Sequence, residues 1–216
     1  MSWSLNEIES LARKAARGSG LSWGLAEEAG RSTRWLCAMD LPGADCLAGL
    51  LQQNDGADYP GLCPEGSGVA WAAPDGILCP LITGAALCDR AAELAGGRRI
   101  TLARTAYPLL LYPHVATAAD RTGAALGLSW PGVLLTRKAG VSTISARDDT
   151  AAATAVDTVE ISIAAEFPGV SVKRAFRGDI SPQTAGILKE FAHRTYAPET
   201  EESRLGGAGA GLTDND

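Results

Sequence analysis

The sequence is poor in the residues that announce a reaction. It has two histidines, His114 and His193, and no HxH or HExxH pattern, so no spacing marks a metal site and none is expected. Its five cysteines, Cys37, Cys46, Cys63, Cys79 and Cys88, are odd in number and include no CxxC pair. That argues against a disulfide framework or a zinc ribbon and for free thiols in a reducing compartment. Apolar runs are short: Leu109-Leu110-Leu111 is soon interrupted by Pro113 and His114, well below the roughly 18–20 residues needed to cross a bilayer. The opening residues lack the basic stretch and apolar run of an export signal. A cytoplasmic protein with no membrane contact is expected.

Positive charge is scarce as well. The net charge is −6 and the pI about 5.0, a balance that repels a polyanion, so nucleic acid is not expected as a partner. The pairs Arg98-Arg99, Arg137-Lys138 and Lys173-Arg174 read as solvated hairpin or strand ends. Aromatics make up only 6% of the chain against 46% hydrophobic residues in all, which points to a core of small and aliphatic side chains with close backbone approaches.

The sequence does carry clear local signals. Ser4-Leu5-Asn6-Glu7 is a capping box, followed by Leu5, Ile8, Leu11, Ala12 and Ala15 at helical spacing and a stop at Gly18. A second helix should open near Ser22 or Gly24, with Glu27 and Glu28 in its first turns and Glu27 paired to Arg31 four residues on. Leu41-Pro42-Gly43 ends it, and a third helix spans 44–53. Turn signals crowd 56–80, leaving room for strands at 69–72 and 77–81. A helix is expected over 85–94.

The period then changes. Runs 99–104, 109–117, 124–130, 133–137 and 141–146 are β-prone, separated by 120–123, 131–132 and 138–140, which look like hairpin turns. Residues 158–163 alternate cleanly as a strand, and 170–176 follow the Pro168-Gly169 turn. Turns this short favour antiparallel pairing, since a parallel crossover needs a dozen or more residues. Ser181-Pro182 opens a last helix to about Thr195. The expected fold is α+β: a helical N-terminal layer on a largely antiparallel sheet, as one domain over 1–198, with a Gly-rich acidic tail over 199–216. Gly207-Ala208-Gly209-Ala210-Gly211 has no helix after it to cradle a phosphate.

Few residues could carry chemistry. Cys63 and Cys79 sit in a repeated Leu-Cys-Pro tripeptide; one reading is a loop nucleophile with His114 or His193 as base, the plainer one is two structural thiols. His114, in the apolar β-prone run 109–117, is a candidate acid/base, or else a satisfied core histidine. On the second helix Glu27 and Glu28 are candidate catalytic carboxylates and Arg31 and Arg34 candidate anchors for an anionic substrate. Trp23, at the junction before it, is a candidate pocket wall. The alternative there is a tight helical turn with a solvated charged face. Nothing identifies a cofactor.

The run Ser4-Leu5-Asn6-Glu7-Ile8, Ala15-Ala16-Arg17-Gly18 and Trp23-Gly24-Leu25-Ala26-Glu27-Glu28-Ala29 resembles the start of a bacterial family of proteins of unknown function, and the ending from Gly207 to Asp216 is similar too. The resemblance implies one full-length unit and transfers no catalytic residue. Two functions are in view. One is an accessory or self-associating subunit in small-molecule metabolism, with a protein partner or a second copy. The other is a small-molecule enzyme using a carboxylate, histidine or cysteine of a cleft near the second helix.

Overall fold

The computed structural model describes residues 2–66, 68–172 and 174–196, with backbone alone at 148–149; the expected tail at 199–216 and Lys173 lie outside the described residues. Strand β1 (Ser2–Ser4) leads into α1 (Leu5–Gly18), capped by Ser4 and Glu7 in a complete capping box. Helix α2 (Trp23–Ala38) is capped by Ser22 and α3 (Gly43–Gln53) follows. Then come β2 (Ala70–Trp71), α4 (Pro80–Asp89), α5 (Ala91–Ala95), β3 (Ile100–Leu102), β4 (Thr105–Ala106) and α6 (Tyr112–Thr122). The rest is β5 (Leu126–Trp130), β6 (Val133–Lys138), β7 (Val141–Ala146), β8 (Ala155–Val156), β9 (Val159–Ile163), β10 (Val170–Ser171), β11 (Arg177–Asp179) and α7 (Pro182–His193).

The fold is α+β, as expected. Seven strands form one sheet in the order β10-β7-β6-β5-β9-β3-β2, antiparallel throughout except for the β2–β3 pair. The β5-β6-β7 meander turns at Pro131-Gly132 and at Ala139-Gly140, whose residues both take positive φ. Two small pairs, β1–β11 and β4–β8, lie outside that sheet.

Several expectations need correction. Residues 109–117 are not a strand: a 3-10 turn at Pro108–Leu111 runs into α6. Pro113 does not interrupt an extended run; it occupies the first turn of a helix, where its missing N–H costs nothing. A short, fully apolar run cannot be assigned by periodicity alone, because buried helix and buried strand look alike. The supposed hairpin turn at 120–123 is the end of that helix, with Gly123 in the left-handed conformation as its stop. Pro80 likewise starts α4, so 77–81 supplies only an isolated bridge from Leu78 to Thr105, and the helix expected over 85–94 begins earlier and breaks at Arg90. The 170–176 strand shrinks to β10.

The misread segment covers the sheet. α6 packs on β5 and β6 and also meets α2, α4 and α5, so the N-terminal helices reach the sheet through it. Tyr112 is fully buried there; its hydroxyl donates to the Thr136 carbonyl at 2.6 Å, and the Trp35 ring of α2 meets its ring edge-on at 5.3 Å. Arg137, expected in solvent, is buried beside them. It forms a two-pronged pair with Asp120 of α6 at 3.0 and 2.7 Å, because the Lys138 end of the strand turns outward while Arg137 faces the helix. α1 packs against α2, and Ala12, Ala15 and Ala16 of the one and Ala26 and Ala29 of the other are all buried, in keeping with the small-residue core the composition implied.

Candidate functional site

Helix periodicity aligns Glu28, Arg31, Ser32 and Trp35 on one face of α2, three and four residues apart. The first turns of α6 set Pro113, His114 and Thr117 opposite them. Together these seven residues line a cavity of about 220 Å³.

His114 forms its floor and is only 2% exposed. Its Nε2 lies 3.3 Å from Ser32 Oγ, and its Nδ1 lies 4.0 Å from the Sγ of Cys88 on α4. The Cys88 thiol is in reach of the His114 carbonyl at 3.5 Å. The ring fits because α4 carries Gly84 here: a Cβ at that position would lie 2.3 Å from His114 Cδ2. A glycine inside a helix costs roughly 1 kcal/mol relative to alanine, and here it makes room for an imidazole.

Burial sets the protonation states. Desolvation pushes the His114 pKa down to about 4, so the ring is neutral near pH 7. Desolvation, reinforced by the Glu28 carboxylate, pushes the Cys88 thiol up to about 11, so it stays protonated and acts as a donor. At the rim Arg31 bonds Glu28 at 3.0 Å, leaving a mixed-charge entrance over a neutral, hydrogen-bonding floor.

The residues singled out in the sequence divide. Glu28, Arg31 and His114 come together in the cleft. Glu27 turns toward α1, paired with Arg13 at 3.1 Å and with Arg31 at 3.7 Å. Arg34 bonds Glu9 at 3.0 Å and lines a neighbouring cavity. Trp23 is 68% exposed at the start of α2, under the Arg17 guanidinium. Cys63 lies outside the cleft, where its thiol faces the Tyr59 carbonyl at 3.4 Å; burial and then Asp58 raise its pKa, opposite to what a thiolate nucleophile requires. Ser32, Trp35, Thr117 and Cys88 were not proposed from the sequence. Ser32 was within reach, four residues after Glu28 on the same helical face.

Elsewhere, a larger cavity of about 490 Å³ lies between α1 and α7, lined by residues that include Trp3, Lys14, Lys189, His193 and Tyr196. Among the described residues no three His, Cys, Asp or Glu side chains are grouped to hold a metal ion, and no helix is long and apolar enough to cross a membrane.

Residues 3–76 match the family model described as a protein of unknown function (DUF3726). The uncharacterised family expected from the opening motifs is thus supported over that segment, which contains the α2 face of the cleft but not α6. No curated protein matches the chain. Among solved structures the chain is similar to malate dehydrogenase from Entamoeba histolytica at 14% identity and a TM-score of 0.40, over 73% of this chain. The match spans about half, 48%, of the length of that structure.

Proposed function

We propose that the protein is an accessory subunit of cytoplasmic small-molecule metabolism, acting as one unit through residue 198, with the α2–α6 cleft as its ligand site. The observation that carries this reading is the buried placement of His114, 2% exposed, with Ser32 Oγ 3.3 Å from its Nε2 and the Cys88 thiol 4.0 Å from its Nδ1. A general base works best with a pKa near the operating pH, and this imidazole is held at about 4. It suits hydrogen bonding to a bound polar molecule better than proton transfer, with Ser32 beside it and Arg31 and Glu28 at the mouth. A thermal-shift panel of polar metabolites tests the site. The expected result is a stabilising compound whose effect is lost in Ser32→Ala; no stabilising compound, or one indifferent to that change, overturns the reading.

Support for self-association comes from the β7–β10 edge of the sheet, where Val141, Phe167 and Val170 are exposed. Exposed apolar side chains beside a strand edge that no other described strand covers favour pairing with another chain. Native mass measurement should give a dimer or a complex that Val170→Lys disrupts. A clean monomer counts against this part.

One observation favours a catalytic reading instead. Ser32 Oγ and His114 Nε2 stand in nucleophile–base geometry. Covalent labelling of Ser32 by a fluorophosphonate probe, lost in His114→Ala, would establish it.

A further inference from the structure

A second cavity of about 190 Å³ lies beyond Arg31 and Trp35, which line both it and the cleft. Its other walls are Glu9, Arg34, Ala38 and Arg174. Three arginines and one glutamate thus line a cavity in a protein of net charge −6; Arg31 also bonds Glu28 at 3.0 Å, and Arg34 bonds Glu9.

The hydrogen-bonding there is incomplete. Arg34 gives Nη1 to Glu9, but its Nε is buried without an acceptor among the described residues. Buried donors in native proteins are nearly always paired, so an orphan of this kind indicates a missing acceptor. Arg174 has no acidic partner among the described residues. It is held at the cavity by its neighbour, since the Ala175 amide donates to the Ala38 carbonyl at 2.6 Å. That bond also occupies a carbonyl at the C-terminal end of α2 that would otherwise face an incoming anion. Guanidinium groups match carboxylate and phosphate oxygens through paired N–H donors, and the match is stronger than for a point charge.

We infer that this cavity is the anion subsite of the α2–α6 cleft: it takes the carboxylate or phosphate of a small organic anion whose body lies across Trp35 toward Ser32 and His114. The inference rests on the cleft being a ligand site. The ligand class is a small acid or phosphate ester with a polar group a few atoms from its charge. The Arg34 Nε and the Arg174 fork supply the donors, Arg31 adds charge between the two cavities, and Trp35 gives the body a flat apolar face. Raising the ionic strength weakens the charged end selectively.

Calorimetric titration of the full chain tests this with four probes: inorganic phosphate, succinate, its uncharged analogue succinamide, and the stabilising compound found with the cleft panel. Phosphate and succinate are expected to bind and succinamide not to. Arg174→Ala, which breaks no ion pair among the described residues, should weaken both anions roughly tenfold, the scale of one charged hydrogen bond. Arg34→Lys should weaken them too, while keeping the Glu9 pair and the fold. Ser32→Ala should leave phosphate unchanged and weaken succinate. Anion binding indifferent to both arginine changes overturns the subsite, and the cleft survives if its compound still depends on Ser32. Phosphate binding that needs both arginines, with no compound responding to Ser32→Ala, overturns the single spanning ligand and with it the cleft reading.

Discussion

Ser32 Oγ on α2 lies 3.3 Å from Nε2 of His114 on α6, and this hydrogen bond joins the N-terminal helices to the helix that covers the sheet. It places a titratable group at a seam between layers. Its consequences can be measured without knowing any ligand.

The first concerns pH. His114 has a folded pKa of about 4 against an ordinary 6.5. Between those values the unfolded chain binds a proton that the folded chain does not, so stability falls as pH is lowered through that window and levels off below it. From pH 6.5 to 5 the loss from this group is roughly 2 kcal/mol. Urea unfolding at the two pH values should show that difference in the wild type and lack it in His114→Gln. Equal pH slopes in the two proteins would refute it.

Gly84→Ala should destabilise although alanine is the better helix former. The added methyl would sit 2.3 Å from the His114 ring, and overpacking a closed core costs about 1–3 kcal/mol, against a propensity gain of roughly 1 kcal/mol. In a His114→Ala background the clash disappears and the same change should become neutral or stabilising. Chemical denaturation of the four proteins of that cycle reads the coupling.

Thr83, next to Gly84 on α4, is fully buried and its hydroxyl has no hydrogen-bond partner among the described residues. Valine keeps the shape and removes the orphan group. Thr83→Val should raise the unfolding free energy by about 1 kcal/mol, visible as a higher denaturation midpoint at constant slope. A drop would mean that the hydroxyl is engaged.

Asp120 and Arg137 should matter more than the charged rim of α2. Removing the carboxylate leaves the buried guanidinium unpaired, a loss of about 3 kcal/mol on the usual scale for breaking a buried pair, reduced because Asp120 is itself partly exposed. Asp120→Ala should therefore cost about 2 kcal/mol. Glu27→Ala, which cuts exposed pairs to Arg13 and Arg31, should cost under about 1 kcal/mol. Urea denaturation of the two variants ranks them.

Much of the helical framework was legible because its signals are local. Ser4 with Glu7, Ser22, and Ser181 before Pro182 each name a helix start within four residues, and the structure has caps at all three. The meander was legible through its turns. The segment at 108–122 was misread because its proline stands where a helix begins and its apolar residues face the core on every side. The cleft followed the same divide. Glu28 and Arg31 could be picked from one helix, but their meeting with His114 depends on α6 being a helix and on a glycine in α4, 30 positions before the histidine, that leaves space for the ring. Pairings of that kind leave no periodic trace.

The first and last described elements close on each other: β1 pairs with β11, and α1 packs against α7. During synthesis the first helices are therefore made long before the elements that cover them, and β2 waits for β3 to hold its edge. The segment 3–76, cut out by itself, would expose the alanine-rich and leucine-rich faces that α6 and α7 bury, so it should precipitate rather than fold.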